Sequence, residues 1–203
     1  MKMSTKKKVL MVVSAILALV AMAVAALVVS VQFDQKSEFE YHSTLVNSIQ
    51  LWSNGFEPNG TIPTEFTAQG EELSPSLFWD DLPPGTQSLV ITAADYDGPS
   101  PSFRLMTIDH WVVYNIDPTI DRIEKAAPVE VLEEQGMKVG QNVYGGIGYI
   151  GPDPPMGEHR YFFRIYALSV PSLDLVQPTR SELMESMKDH VIAYGELVGT
   201  YGG

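Results

Sequence analysis

Two carboxylates and two histidines are the residues of this chain best suited to act together on a ligand. Asp95-Tyr96-Asp97 follows the apolar run Leu89-Val90-Ile91. Extended backbone alternates its side chains, so carboxylates two residues apart can point the same way and meet one ligand. Such neighbours repel each other, and one tends to hold a proton unless donors or cations lie close. His110 opens the segment His110-Trp111-Val112-Val113-Tyr114, and His159 opens His159 to Leu168, with Tyr161 two residues on. Both are candidate donors, because a β-sandwich can bring two strand starts to one end. The loop Gly151-Pro152-Asp153-Pro154-Pro155-Met156-Gly157 holds three prolines, which fix its path and lower the entropy lost when a ligand docks on it.

Other chemistries fit less well. The histidines lie far apart at positions 42, 110, 159 and 190, with no H-x-x-H or H-x-H pair, so no metal site is expected. There is no G-x-S-x-G nucleophile elbow. A hydrolase would have to use Asp95 or Asp97 as general base, and a poised pKa is not readable from sequence. Gly145-Gly146-Ile147-Gly148 leads toward Tyr149-Ile150 rather than into a helix, so it is no phosphate loop. Absence of cysteine excludes disulfides, thiolate chemistry and a lipobox anchor. Asn59-Gly60-Thr61 matches a glycosylation acceptor, a pattern common by chance. His42 and His190 carry no expected role, one in a tether and one on a helix.

The elements that must position these residues read as strands. Short segments rich in Val, Ile, Thr and aromatics run over Thr44 to Leu51, Ile62 to Ala68, Ser76 to Trp79, Ser88 to Ala94, His110 to Ile116 and Arg160 to Leu168. Turn signals at Glu57 to Gly60, Pro83 to Gly85, Gly98 to Pro101 and Gly151 to Gly157 separate them. This pattern predicts an all-β sandwich. One helix is expected near the C-terminus, capped by Thr179 with Glu182 completing a capping box. Leu183, Met187, Val191 and Tyr194 form its packing stripe, Gly195 breaks it, and Leu197 to Tyr201 are extended.

Ahead of this domain, Val9 to Val31 is an uncharged 23-residue apolar stretch, about 35 Å long as a helix and enough to cross a bilayer. Lys2, Lys6, Lys7 and Lys8 on its N-terminal flank put residues 1–8 in the cytoplasm and the domain outside. Residues 32–43 read as a tether and 44–203 as the domain. The segment exceeds an ordinary secretory h-region, yet Ala21-Met22-Ala23 and Ala23-Val24-Ala25 offer small-x-small cleavage sites, so release by cleavage stays open. Nine basic residues then remain against 25 acidic, leaving the rest of the chain near −16. So acidic a domain excludes nucleic acid, which needs a basic patch.

Five ordered motifs carry a family resemblance: Ser74 to Ile91 (SPSLFWDDLPPGTQSLVI), Asp95 to Pro99 (DYDGP), His110 to Ile116 (HWVVYNI), Gly151 to Pro155 (GPDPP) and His159 to Leu168 (HRYFFRIYAL). In this order they resemble phosphatidylethanolamine-binding proteins. The C-terminal TRSELMESMKDHVIAYGELVGTY is similar to the bacterial and archaeal branch often labelled Raf-kinase-inhibitor-like. The resemblance implies a Greek-key sandwich of two antiparallel sheets with a C-terminal helix. It also implies a small pocket for phosphate, acetate or a phosphoethanolamine head group, lined by Asp95, Asp97, Pro99, His110, Gly151, Pro152, His159 and Tyr161. The usual D-P-D-x-P has Tyr96 in place of its first proline and Gly98 where alanine is common, departures that bear on the pocket's width and selectivity rather than its existence. A non-catalytic binding role follows, without cofactor: imidazoles and loop amides donate to an anion, while Asp95 and Asp97 orient the rings or accept an ammonium group. The alternative is modulation of an enzyme, which outside the membrane means a serine protease.

Overall fold

Segments rich in β-branched and aromatic residues fold as strands, and the larger sheet they build is covered on both faces. The computed structural model describes residues 4–202. A long helix, α1 (Thr5–Thr44), leads into β1 (Gln50–Trp52), β2 (Leu77–Asp80), β3 (Ser88–Ser100), β4 (Phe103–Ile116) and β5 (Arg122–Ile123). Then come α2 (Val129–Glu134), β6 (Lys138–Val139), β7 (Glu158–Leu168), α3 (Arg180–Met187) and β8 (Val191–Gly202). The strands form two antiparallel sheets, ordered β1-β2-β5 and β6-β4-β3-β7-β8. Leu77 and Trp79 of the small sheet pack with Ile91, Trp111, Phe163 and Ile165 of the large one in the main core. On the opposite face Val90, Val112, Tyr114 and Tyr166 pack against Leu183 and Met187 of α3. β3 is therefore buried on both sides, which is why it reads as a near-continuous apolar run.

The class is mixed rather than all-β, and four local expectations are corrected. First, residues 32–43 are not a loose tether but the C-terminal turns of α1, seated on the outer face of the large sheet. Their contacting stripe, Gln35, Glu38 and His42, is polar, so hydrophobic periodicity does not reveal it. Gln35 Nε2 donates to the Tyr96 carbonyl (3.0 Å) and to Thr107 (3.3 Å). Glu38 accepts from Arg180 (2.7 Å), Arg164 (3.2 Å) and the Tyr96 hydroxyl. His42 Nδ1 donates to the Glu38 carbonyl (2.7 Å) and its Nε2 accepts from the Tyr166 hydroxyl (2.8 Å). Phe39 lies 5.0 Å from the ring of Tyr96 and 5.8 Å from that of Phe162.

Second, Ile62 to Ala68 holds only a 3₁₀ turn, Thr64–Phe66, and the strand expected from Thr44 is shortened to β1. Third, Gly98 to Ser100 do not end β3 but continue it through ladder irregularities and a cis Gly98-Pro99 bond into a hairpin with β4. His110 accordingly lies inside β4 rather than at its start. Fourth, α3 stops at Met187. Its capping box is present as expected, but Val191 and Tyr194 belong to β8, and Gly195 is a strand residue beside the Ile49 backbone. The four-residue spacing of Met187 and Val191 is coincidental: His190 lies in the turn between them, its carbonyl accepting from Ser169 N (2.9 Å).

Candidate functional site

β3, β4 and β7 meet side by side at one end of the large sheet. Asp95 is in register with Ile108 of β4 and with Tyr161 of β7. Beyond Asp95 the next β4 pair is Gly98 with Met106, three steps on one strand against two on the other. This bulge breaks the alternation that a spacing argument assumes. A cavity of about 300 Å³ opens here. Asp95, Pro99, His110, Gly151, His159 and Tyr161 line it, six of the eight residues expected.

Asp97 and Pro152 do not line it. The fully buried Asp97 carboxylate takes three hydrogen bonds from Arg160, two from the guanidinium at 2.9 and 2.8 Å and one from the amide at 3.2 Å, and lies 3.1 Å from Arg104 Nε. Burial alone would raise its pKa; the hydrogen bonds and charge of Arg160, with the charge of Arg104, outweigh this and lower it. Pro152 is buried, and its carbonyl accepts from Ala68 N (3.0 Å), tying the proline-rich loop down.

His159 is committed within the protein: Nδ1 lies 2.7 Å from Asp95 Oδ2, and Nε2 lies 3.2 Å from the Met156 carbonyl. Asp95 Oδ1 also accepts the Asp97 amide (2.6 Å). His110 is different. Its Nδ1 donates to the Ile150 carbonyl (2.9 Å), and its own carbonyl accepts from Ile150 N (3.0 Å), which sets the loop against β4. The carbonyl partner assigns the proton to Nδ1 and leaves Nε2 as a bare acceptor. Buried Nε2 has no hydrogen-bond partner among the described residues, and neither has the Tyr161 hydroxyl. The two rings meet edge to face at 5.2 Å. Burial lowers the pKa of His110 against the opposing pull of the Ile150 carbonyl and Asp95, so the ring is neutral at pH 7. Burial, with Asp95 adding to it, raises that of Tyr161, which keeps its proton as a donor.

Glu72 and Asp153 add carboxylates to the lining. Glu72 accepts the Gly151 amide (2.9 Å) and Asp153 accepts from Gln69 (2.5 Å). Sequence holds no signal for Glu72, whose place depends on a positive φ of 56° and a contact 79 residues away. Among the described residues no three His, Asp or Glu side chains converge into a metal-holding group.

Residues 52–202 match the model of the family described as phosphatidylethanolamine-binding protein. An Archaeoglobus fulgidus protein called UPF0098 is 39% identical over 150 residues, 73% of this chain, which spans only 49% of that relative's length. A Methanothermobacter thermautotrophicus UPF0098 protein is 39% identical over 75% of this chain and 98% of its own. Among solved structures, the phosphatidylethanolamine-binding protein homolog CT736 from Chlamydia trachomatis is 38% identical, with a TM-score of 0.69 over 77% of this chain and 99% of that one.

Proposed function

The chain belongs to the phosphatidylethanolamine-binding protein family, and from that premise we propose that it is a non-catalytic module binding a small zwitterionic or anionic head group. The two sheets then correspond to the Greek-key sandwich of the family. One observation carries the proposal: two buried polar atoms without partners, His110 Nε2 and the Tyr161 hydroxyl, line one cavity. A buried polar atom left unpaired costs roughly 1–3 kcal/mol, which a ligand that satisfies it recovers. At about 300 Å³ the cavity is at the small end for ligand sites, the size of a head group rather than a whole lipid. Tyr161 donates to a phosphate oxygen, and His110 becomes a second donor once Nε2 takes a proton. Glu72, Asp95 and Asp153 favour an ammonium group on the same ligand. Asp95 is occupied by His159 and the Asp97 amide, which supports recognition over turnover.

The sign of the pH effect follows. Burial holds the pKa of free His110 below its ordinary value, and an anion at Nε2 favours the protonated ring, so anion affinity rises as pH falls toward that lowered pKa. Calorimetry of the full chain in detergent with glycerophosphoethanolamine, whose phosphodiester keeps its charge from pH 8 to 5, should show tightening as pH falls across that range that His110→Gln abolishes. Flat affinity in the parent, or no binding at any pH, would remove the proposal.

We further propose that α1 crosses a membrane, with the lysines cytoplasmic and the domain outside, or secreted where the segment is cleaved. The helix is long and apolar enough, and its apolar residues are exposed. Protection of the domain from protease in sealed inside-out vesicles, and loss of that protection on lysis, tests the topology. The alternative function we propose is modulation of an extracytoplasmic serine protease through the stiff 151–157 loop, and inhibition assays with trypsin-like and chymotrypsin-like enzymes test it.

A further inference from the structure

We propose that the tip of the β3–β4 hairpin, led by Phe103, sits in the interfacial layer of the bilayer that α1 crosses. The cavity rim is thereby held at the head groups of that leaflet. This rests on α1 being an uncleaved span. α1 is one uninterrupted helix whose last turns are pinned to the sheet by Gln35, Glu38 and His42, so span and domain move as one body.

The direction of the helix fixes what meets the membrane. Glu38 meets Arg180, which holds Asp109 of β4; one turn earlier, Gln35 meets Thr107. Residue numbers on α1 and β4 thus fall in the same direction. The stripe continues at Val31 and Val28, half-buried within a stretch otherwise exposed, and Val31 shares a groove with Thr107. From Thr107 to Phe103 the strand advances about 13 Å, and from Gln35 to Val28 the helix advances about 10 Å. The hairpin turn is therefore level with the last turns of the apolar stretch. That stretch, about 35 Å long, exceeds a hydrocarbon core of about 30 Å, so those turns lie at its boundary. Phe33, 70% exposed just beyond Val31, falls where interfacial aromatics collect.

Chemistry at the tip agrees. Phe103 and Met106 are 49% and 46% exposed. From Gly98 to Met106 the hairpin carries a single charge, Arg104, whose Nε lies 3.1 Å from the Asp97 carboxylate that also holds Arg160. An acidic domain would be repelled by anionic lipid, but this tip, with exposed apolar side chains and no carboxylate between Gly98 and Met106, suits a zwitterionic surface. Gly98, Pro99 and Met106 also line the cavity, and Gly157 of the proline-rich loop abuts Pro101 at the turn. The exposed rim of the site and the membrane-facing tip are one hairpin.

Absence of cysteine permits single-site labelling. Full-length Phe103→Cys, Met106→Cys, Ala21→Cys and Val176→Cys chains would carry nitroxides in phosphatidylethanolamine/phosphatidylcholine nanodiscs, with depth read from relaxation by oxygen against a water-soluble nickel chelate. Val176 is 90% exposed, next to the Leu175 carbonyl that Tyr114 holds at the far end of β4. Expected is a deep Ala21, an aqueous Val176, and a several-fold higher oxygen-to-nickel ratio at Phe103 than at Val176, with Met106 between. A deep Ala21 with Phe103 and Met106 both matching Val176 overturns the proposal while the span stands. An aqueous Ala21 removes the span, and the proposal with it.

Discussion

At the scale of single residues, Asp95 and Asp97 separate by their partners rather than their spacing. Asp95 faces the cavity through His159, whereas Asp97 serves the arginines that hold the bulged end of β3. Opposite behaviour on substitution follows. Asp97→Ala removes charged hydrogen bonds while both arginines, half-exposed, can turn to water, so it should cost roughly 1–3 kcal/mol of stability and change head-group affinity less than about twofold. Tyr161→Phe removes a hydroxyl that has no protein partner, so stability should hold or rise slightly while affinity falls about three- to tenfold, the worth of one hydrogen bond. Urea denaturation beside calorimetry checks both. Asp97→Ala weakening binding without loss of stability would return Asp97 to the ligand.

At the scale of elements, the most consequential contact is the one least visible in sequence, that of α1 with the sheet. Arg164, 2% exposed, and Arg180 share Glu38, and each keeps a second carboxylate, Glu196 and Asp109. Breaking a buried pair typically costs 3–5 kcal/mol; with those second partners retained, Glu38→Ala should cost about 2–4 kcal/mol and free the last turns of α1 for faster amide exchange. His42 adds a pH term. Burial, helped by Arg164, lowers its pKa to about 4, so the neutral ring is what folding favours. Its contribution is complete above pH 6.5 and is lost as pH falls toward 4, about 2–3 kcal/mol. The unfolding midpoint of His42→Gln should therefore fall less steeply between pH 7 and 4.5 than that of the parent. Sequence made the other elements legible where packing is apolar or capping is local: most strands, the Thr179–Glu182 box, and the ordered motifs that bring six residues to one cavity. It hid the docked helix because the docking face is Gln35, Glu38 and His42. It extended α3 into β8 because Val191 and Tyr194 happen to repeat at helical intervals.

At the scale of the whole molecule, shape and charge oppose each other. Cleavage after Ala23 or Ala25 would leave Gln35, Glu38 and His42 on the domain, so α1's docking turns belong to the folded unit in either form. What an uncleaved span adds is orientation. Charge acts against the proposed anionic ligand, because a domain near −16 repels phosphate beyond contact distance and the donors offered to it, Tyr161 and protonated His110, are few and local. Raising ionic strength from 0.01 to 0.15 M shortens the screening length from about 30 to 8 Å, which weakens that repulsion without touching the buried contacts. Inorganic phosphate should therefore bind several-fold tighter at the higher salt, supplied with an anion too bulky for the cavity. Glycerophosphoethanolamine, with no net charge, should change less than about twofold. Calorimetry at the two salt concentrations measures the difference. Phosphate binding that weakens with salt would instead mark a cationic surface as the ligand's anchor, and the cavity's own donors would no longer account for recognition.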